Sequence, residues 1–223
     1  MLAHERARFA GEPVAFVVAE TKEQAASAAE LVQIDYAPLP AITDARQAAL
    51  PGAPVIWPDR PDNRPLFAEV GDREAADAAF AKAAHVVKLD TWINRITGSP
   101  MEPRSCIGFY DPETETYTAR AASGRGAVQT RDRLAAILGV PAENARVYFG
   151  DMGGNYGTRN AFYSEYALMP WAAKKVGRPV KWVGERSECF LSDYQGRDLA
   201  VTAELALDAD GNFLAIHGLN TMN

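Results

Sequence analysis

Gly150-Asp151-Met152-Gly153-Gly154-Asn155-Tyr156-Gly157-Thr158-Arg159-Asn160 is the stretch on which the reading of this chain turns. A strand-like run, Ala145-Arg146-Val147-Tyr148-Phe149, precedes it, and a helix-like run begins near Phe162. Four glycines within eight residues give the backbone access to positive φ and to close approach of another group. Successive N–H groups in such a loop can line an anion-binding concavity beside a helix N-terminus. The alternative is an ordinary strand-to-helix connection, and composition does not separate the two.

The chain of 223 residues is 48% hydrophobic and 23% charged, ordinary values for a globular protein of one or two domains. Lysine plus arginine, 23, against aspartate plus glutamate, 29, leaves a formal charge of −6, which argues against a nucleic-acid partner. No apolar run approaches the roughly 20 residues of a membrane span, and the N-terminus lacks a signal-peptide core. Cys106 and Cys189 lie far apart, form no metal-ligand spacing and read as buried structural thiols. The expectation is a cytoplasmic protein.

Before the glycine loop, Pro13–Ala19 has the length and composition of a strand. Thr21-Lys22-Glu23-Gln24 is a capping-box pattern opening an alanine-rich helix to about Val32, and Gln33–Tyr36 reads as a short strand. Asp44 is placed to cap another helical turn. Pro51 to Gly71 carries five prolines and reads as an irregular linker, followed by a short helix over 72–82. His85–Asn94 is an expected strand leading to Pro100-Met101-Glu102-Pro103, where the prolines hold Glu102 in a non-helical turn. Glu102 is read as an acceptor of backbone hydrogen bonds in that turn. A hairpin is expected around Asp111-Pro112-Glu113-Thr114.

Ser123-Gly124-Arg125-Gly126 is a second glycine turn, ahead of a helix over 128–138. Arg125 either reaches an anion there or is simply solvated. Beyond the main loop, the pattern predicts a helix over 163–176, locally kinked by Pro170, and strands over 180–183, 199–207 and 212–219. Several chemistries are excluded. There is no Gly-x-Ser-x-Gly elbow, no P-loop and no Gly-x-Gly-x-x-Gly, and His4, His85 and His217 show no ligand spacing.

The ordered motifs carry a resemblance. Arg8–Ala19 and Asp35-Tyr36-Ala37-Pro38-Leu39-Pro40, then Pro100-Met101-Glu102-Pro103, Gly150–Gly157, Gly177–Val183, Arg186-Ser187-Glu188 and Gly196-Arg197-Asp198 follow one another as in a known family. The chain resembles the large, molybdenum-cofactor-binding subunit of the xanthine dehydrogenase, aldehyde oxidase and aerobic carbon monoxide dehydrogenase family. The resemblance implies an α/β (α+β) fold. An α/β hammerhead-like domain, incomplete at its N-terminus, would span 1–50. A proline-rich linker and short helix would span 51–83, and a first molybdopterin-binding domain, incomplete at its C-terminus, 84–223.

It further implies a molybdenum-dependent oxidoreductase that oxidises a carbon of a small-molecule substrate with water-derived oxygen. A pterin-dithiolene molybdenum cofactor would serve it, and electrons would pass to iron–sulfur and flavin (FAD) centres on partner subunits. Gly153, Gly154 and Gly157 match the loop that lies against the cofactor, Tyr156 takes its phenylalanine position, and Asn155 replaces a glycine. Arg125 falls where many relatives carry a glutamine close to molybdenum. Asn160 stands where xanthine-oxidising relatives carry a substrate-binding glutamate, which argues against purine oxidation. No metal ligand is assigned to this chain, and the glutamate base is expected outside it. The chain alone is then expected to be inactive and to hold no cofactor, with Gly153–Asn160 mobile or held by neighbouring molecules because no ligand fills its donors. The alternative is a non-catalytic scaffold or cofactor-handling protein of the same fold.

Overall fold

Leu199–Leu207 alternates in sequence and finds a partner strand on each side. Pro13–Ala19 has strand composition but pairs with none, and that difference decides much of the secondary structure. In the computed structural model, which describes residues 1–222, the helices are α1 (Lys22–Glu30), α2 (Ala45–Ala48), α3 (Arg73–Phe80), α4 (Ala127–Leu138), α5 (Glu165–Val176) and α6 (Arg186–Ser192). The strands are β1 (His85–Ile93), β2 (Ile96–Thr97), β3 (Ser105–Asp111), β4 (Thr116–Ala121), β5 (Ala145–Phe149), β6 (Val180–Val183), β7 (Gln195–Gly196), β8 (Leu199–Leu207) and β9 (Phe213–Met222).

The chain forms two compact units, and they cut across the sequence-order divisions at 50 and 84. One contains Met1–Tyr36 and Thr97–Gln195, and the other contains Ala37–Ile96 and the chain from Gly196 on. Strand pairing is the reason. In the second unit β1, β8 and β9 form an antiparallel sheet, with His85 opposite Leu207 and Ile93 opposite Leu199. The β8–β9 turn is held by Asp208, whose carboxylate accepts the N–H groups of Asp210 and Asn212 and the Asn212 amide. The Phe80 ring of α3 stacks on His217 of β9 at 4.2 Å. The proline-rich stretch is irregular but cross-linked. The Asn63 amide donates to the carbonyls of Ala48 and Pro54 and accepts from the Ile56 N–H.

The first unit holds a four-stranded sheet in the order β5-β4-β3-β6. The expected hairpin joins β3 to β4, and its Asp111 carboxylate accepts from the Glu113 N–H and the Thr114 hydroxyl. β4 then runs parallel to β5 through the α4 crossover, with Ala121 opposite Phe149. The buried core comprises Cys106, Ala119, Leu134, Ala145, Tyr166, Met169 and Val180 among others, supplied by one face of the sheet and by α4 and α5. Gly108 sets the spacing, because a Cβ there would lie 2.1 Å from backbone atoms of Met169 and Pro170 in α5. Pro170 stands inside α5 as the sequence indicates.

The capping box at Thr21 and Gln24 forms in both directions. Two strand expectations are corrected: residues 13–19 and 33–36 are neither helix nor strand. An extended run becomes a strand only where another strand satisfies its N–H and C=O groups. Residues 13–19 make one such backbone bond, from the Ala3 N–H to the Pro13 carbonyl. Helix α6 was not anticipated.

Since α5 meets β3 backbone to backbone, Gly108→Ala is expected to destabilise the protein by about 1–3 kcal/mol, read as a lowered denaturant midpoint.

Candidate functional site

Parallel pairing makes β4 and β5 end on the same edge of the sheet, so the chain leaves both in the same place. From β4 it enters the Ser123–Gly126 turn, and from β5 the Gly150–Asn160 loop. The two glycine turns, read separately in the sequence, are therefore in contact. The carbonyl of Arg159 accepts the Ser123 hydroxyl at 2.8 Å and the Gly124 N–H at 3.1 Å. A Cβ on Gly124 would lie 2.0 Å from Asn155 Nδ2 and 2.3 Å from Asn160 Oδ1. Those two side chains bond each other, Asn155 Nδ2 donating to Asn160 Oδ1 at 3.0 Å.

The third segment is the Pro100–Pro103 turn. Glu102 exchanges two bonds with Gly153: Oε2 accepts the Gly153 N–H at 2.6 Å, and the Glu102 N–H donates to the Gly153 carbonyl at 3.2 Å. A Cβ on Gly153 would approach Glu102 Cβ to 2.7 Å, so this position needs glycine for close approach. Glu102 is thus a backbone acceptor, as read, but its partner lies across the fold and not in its own turn.

Asn155, which replaces a glycine of the family loop, does not take a left-handed conformation. Positive φ falls on Gly154 (116°), Tyr156 (50°) and Gly157 (87°), and Asn155 is not among the left-handed residues. Instead its Oδ1 accepts the Gly157 N–H at 3.1 Å and its carbonyl accepts the Thr158 N–H and hydroxyl. Tyr156 carries the strain and is 73% exposed. The loop's donors are filled in part from within the chain. Gly153, Gly157, Thr158 and Asn160 all donate within the chain. The N–H groups of Gly154, Asn155 and Tyr156 donate to no described residue. Nor does any side chain cap the start of α4 at Gly126. Arg125 is half-buried; its N–H donates to Ser123 Oγ, and its guanidinium bonds no described residue.

Two arginines were missed by sequence reasoning. Arg159 is 2% exposed; Nη2 donates to the Glu102 carbonyl at 2.6 Å, and Nη1 is buried with no partner among the described residues. Arg104, 5% exposed, lies 2.8 Å from Asp193 and 3.4 Å from Glu165, with its guanidinium 3.9 Å from the Tyr163 ring centroid. The 2.8 Å contact is off the N–H axis, so it acts as an ion pair and not as an aligned hydrogen bond. Nothing in apolar periodicity marks either arginine, because charged residues read as surface until their partners are placed. One cation facing two carboxylates leaves a surplus negative charge. Desolvation, opposed by Arg104, pushes Glu165 up to about 7. Burial likewise raises the Cys106 thiol, so it stays protonated. Beside these segments an open cleft of about 430 Å3 is bounded by Glu102, Arg120, Gly150, Asp151 and Lys181. Among the described residues no group of three or more His, Cys, Asp or Glu side chains is arranged to hold a metal ion.

Residues 56–223 match the molybdopterin cofactor-binding domain. The chain belongs to this molybdopterin cofactor-binding family. Residues 1–40 match the α/β hammerhead domain of aldehyde oxidase and xanthine dehydrogenase. The carbon monoxide dehydrogenase large chain of Afipia carboxidovorans is 35% identical over 97% of this chain and 28% of its own length. The 6-hydroxypseudooxynicotine dehydrogenase complex subunit gamma of Paenarthrobacter nicotinovorans is 34% identical over 97% of this chain and 27% of its own length. Among solved structures, a copper- and molybdenum-containing carbon monoxide dehydrogenase matches at 34% identity and a TM-score of 0.88, over 98% of this chain and 29% of that one. Quinoline 2-oxidoreductase from Pseudomonas putida 86 matches at 30% identity and a TM-score of 0.85, over 98% of this chain and 28% of that one. The chain therefore spans between a quarter and a third of the length of these members of the molybdopterin-binding family.

Two outcomes are expected from the geometry. Gly124→Ala, whose methyl displaces the Asn155 and Asn160 amide ends and breaks their bond, is expected to cost about 0.5–1.5 kcal/mol of unfolding free energy. Gly126→Ala, where a Cβ meets nothing within 4 Å, is its near-neutral control. For Glu165 the folded pKa, about 7, exceeds the ordinary 4.5, so the unfolded chain loses its proton first. Its contribution is fully present below pH 4.5 and is lost as pH rises to 7, by about 3 kcal/mol in total. Urea unfolding at a series of pH values should show this decline in the wild type and a flatter profile in Glu165→Gln.

Proposed function

We propose that this chain is part of the large subunit of a cytoplasmic molybdenum hydroxylase of the carbon monoxide, aldehyde or xanthine dehydrogenase type. In this reading it supplies one wall of the cofactor site. The observation that carries the proposal is the meeting of two glycine turns, with Gly154, Asn155 and Tyr156 N–H groups and the start of α4 left without partners among the described residues, inside the matched molybdopterin-binding region. Such donors suit an anionic, phosphate-bearing pterin. Gly153, Gly154 and Gly157 keep side chains out of the surface, Asn155 shapes the loop from within, and Tyr156 projects from it. Arg125, with an unengaged guanidinium beside the uncapped helix start, adds positive charge where an anion would lie.

When bound, the molybdenum centre supplies the oxidation of a substrate carbon with water-derived oxygen; the protein's share is binding, orientation and electrostatics. Electrons would leave to iron–sulfur and flavin centres on partner subunits, and the glutamate that acts as base would lie outside this chain. A neutral Asn155–Asn160 pair at the loop's end favours a substrate other than a purine.

Metal analysis of the full-length protein, made in a host competent for cofactor synthesis, tests the reading. Molybdenum near one equivalent per chain is expected, and its absence sinks the proposal. Turnover with carbon monoxide, aldehydes and N-heterocycles then separates the three branches.

A further inference from the structure

Arg159 is the largest fully buried side chain of the described residues, and it lacks what a buried cation needs. No carboxylate oxygen of a described residue lies within 4.0 Å of its guanidinium, and Nη1 has no acceptor. Arg104, buried to a similar degree in the same unit, has two carboxylates. An unneutralised buried charge is costly, and a neutral side chain of similar volume would ordinarily serve as well or better.

What the residue does instead is join three segments. Its guanidinium holds the Glu102 carbonyl, fixing the turn that clasps Gly153. Its carbonyl holds Ser123 and Gly124, fixing the turn that carries Arg125. The charge thus lies in the same short loop as the unpartnered N–H groups of Gly154, Asn155 and Tyr156.

We propose that Arg159 is a positioning residue for the cofactor wall: its guanidinium fixes the Glu102 turn that clasps Gly153, and its charge, unneutralised among the described residues, is balanced by the anionic ligand. This rests on the reading of the two glycine turns as a molybdopterin-binding wall. Retaining the charge costs the empty protein and favours the loaded one, since an anion nearby is the counter-charge that the described residues do not supply.

The test uses the full-length protein with its partner subunits, in two hosts, one competent for molybdopterin synthesis and one not. In the competent host, Arg159→Met is expected to hold at least about tenfold less molybdenum per chain than the wild type. Arg159→Lys, which keeps the charge but not the planar fork, should recover part of that loss. In the cofactor-free host, Arg159→Met should melt within about 4 °C of the wild type, because losing the bond to Glu102 is offset by removing an unneutralised charge. A merely structural arginine would lower melting temperature and metal content together. The proposal is overturned by wild-type metal content in Arg159→Met, by a larger fall in its cofactor-free melting temperature, or by Arg159→Lys behaving like Arg159→Met. A wild-type protein without molybdenum overturns the underlying reading of the site itself, and this assignment with it.

Discussion

The parallel register of β4 on β5, with Ala121 opposite Phe149, is the constraint on which the candidate site depends. Two adjacent parallel strands end on one edge, and the loops that follow them must share the space beyond it. That forces Ser123–Gly126 against Gly150–Asn160, although twenty-three residues of helix, turn and strand separate Gly126 from Gly150 along the chain. Contact so close leaves no room for a side chain at Gly124, and the amide pair of Asn155 and Asn160 fills the remaining space. The third segment joins through Glu102, which exchanges hydrogen bonds with Gly153. Three loops distant in sequence become one surface because each gives its backbone groups to the others.

Buried charge divides this unit into two kinds of place. Around Arg104 the charges are matched inside the protein: Asp193 takes the shorter contact, and Glu165 absorbs the surplus by holding its proton to higher pH. The aromatic faces of Tyr163 and Trp182 add to the guanidinium's environment. Around Arg159 no described residue provides such closure. The first arrangement is that of a scaffold, self-contained and indifferent to what binds nearby. The second is closed sterically, with its charge unmatched by any described residue.

The α/β class, the positions of α4 and α5, the β3–β4 hairpin and the existence of β5 were legible from periodicity and turn chemistry, because each satisfies its own local rules; that β5 runs parallel to β4 was not. The two strand expectations in the first forty residues failed for a physical reason: strand composition is permission to pair, and pairing needs a neighbour. The glycine loop was legible as a site candidate. Its internal bonding was not: the replacement of a glycine by Asn155 does not announce that this side chain accepts the Gly157 N–H, nor that Tyr156 takes the left-handed conformation. The departures at Asn155 and Asn160, independent of each other in sequence, form a single hydrogen-bonded pair. Arg104 and Arg159 were invisible because burial of a cation depends entirely on partners that only the fold assembles.

The β4–α4–β5 unit also has an opposite end. There α4 stops at Gly139 in the left-handed conformation, Pro141 and a single 3-10 turn follow, and Ala145 starts β5 alongside Tyr117. Every constraint on the candidate site acts at the other end of these strands. Lengthening the 139–144 connection would add loop entropy slowly while leaving the paired register untouched. The two ends of the unit therefore differ in what a change of length would disturb: at the 139–144 connection it would meet the bonds from the Asn144 amide to the Thr114 and Glu115 carbonyls, whereas between Ala121 and Gly126 or Phe149 and Asn160 it would part the contacts of the candidate site.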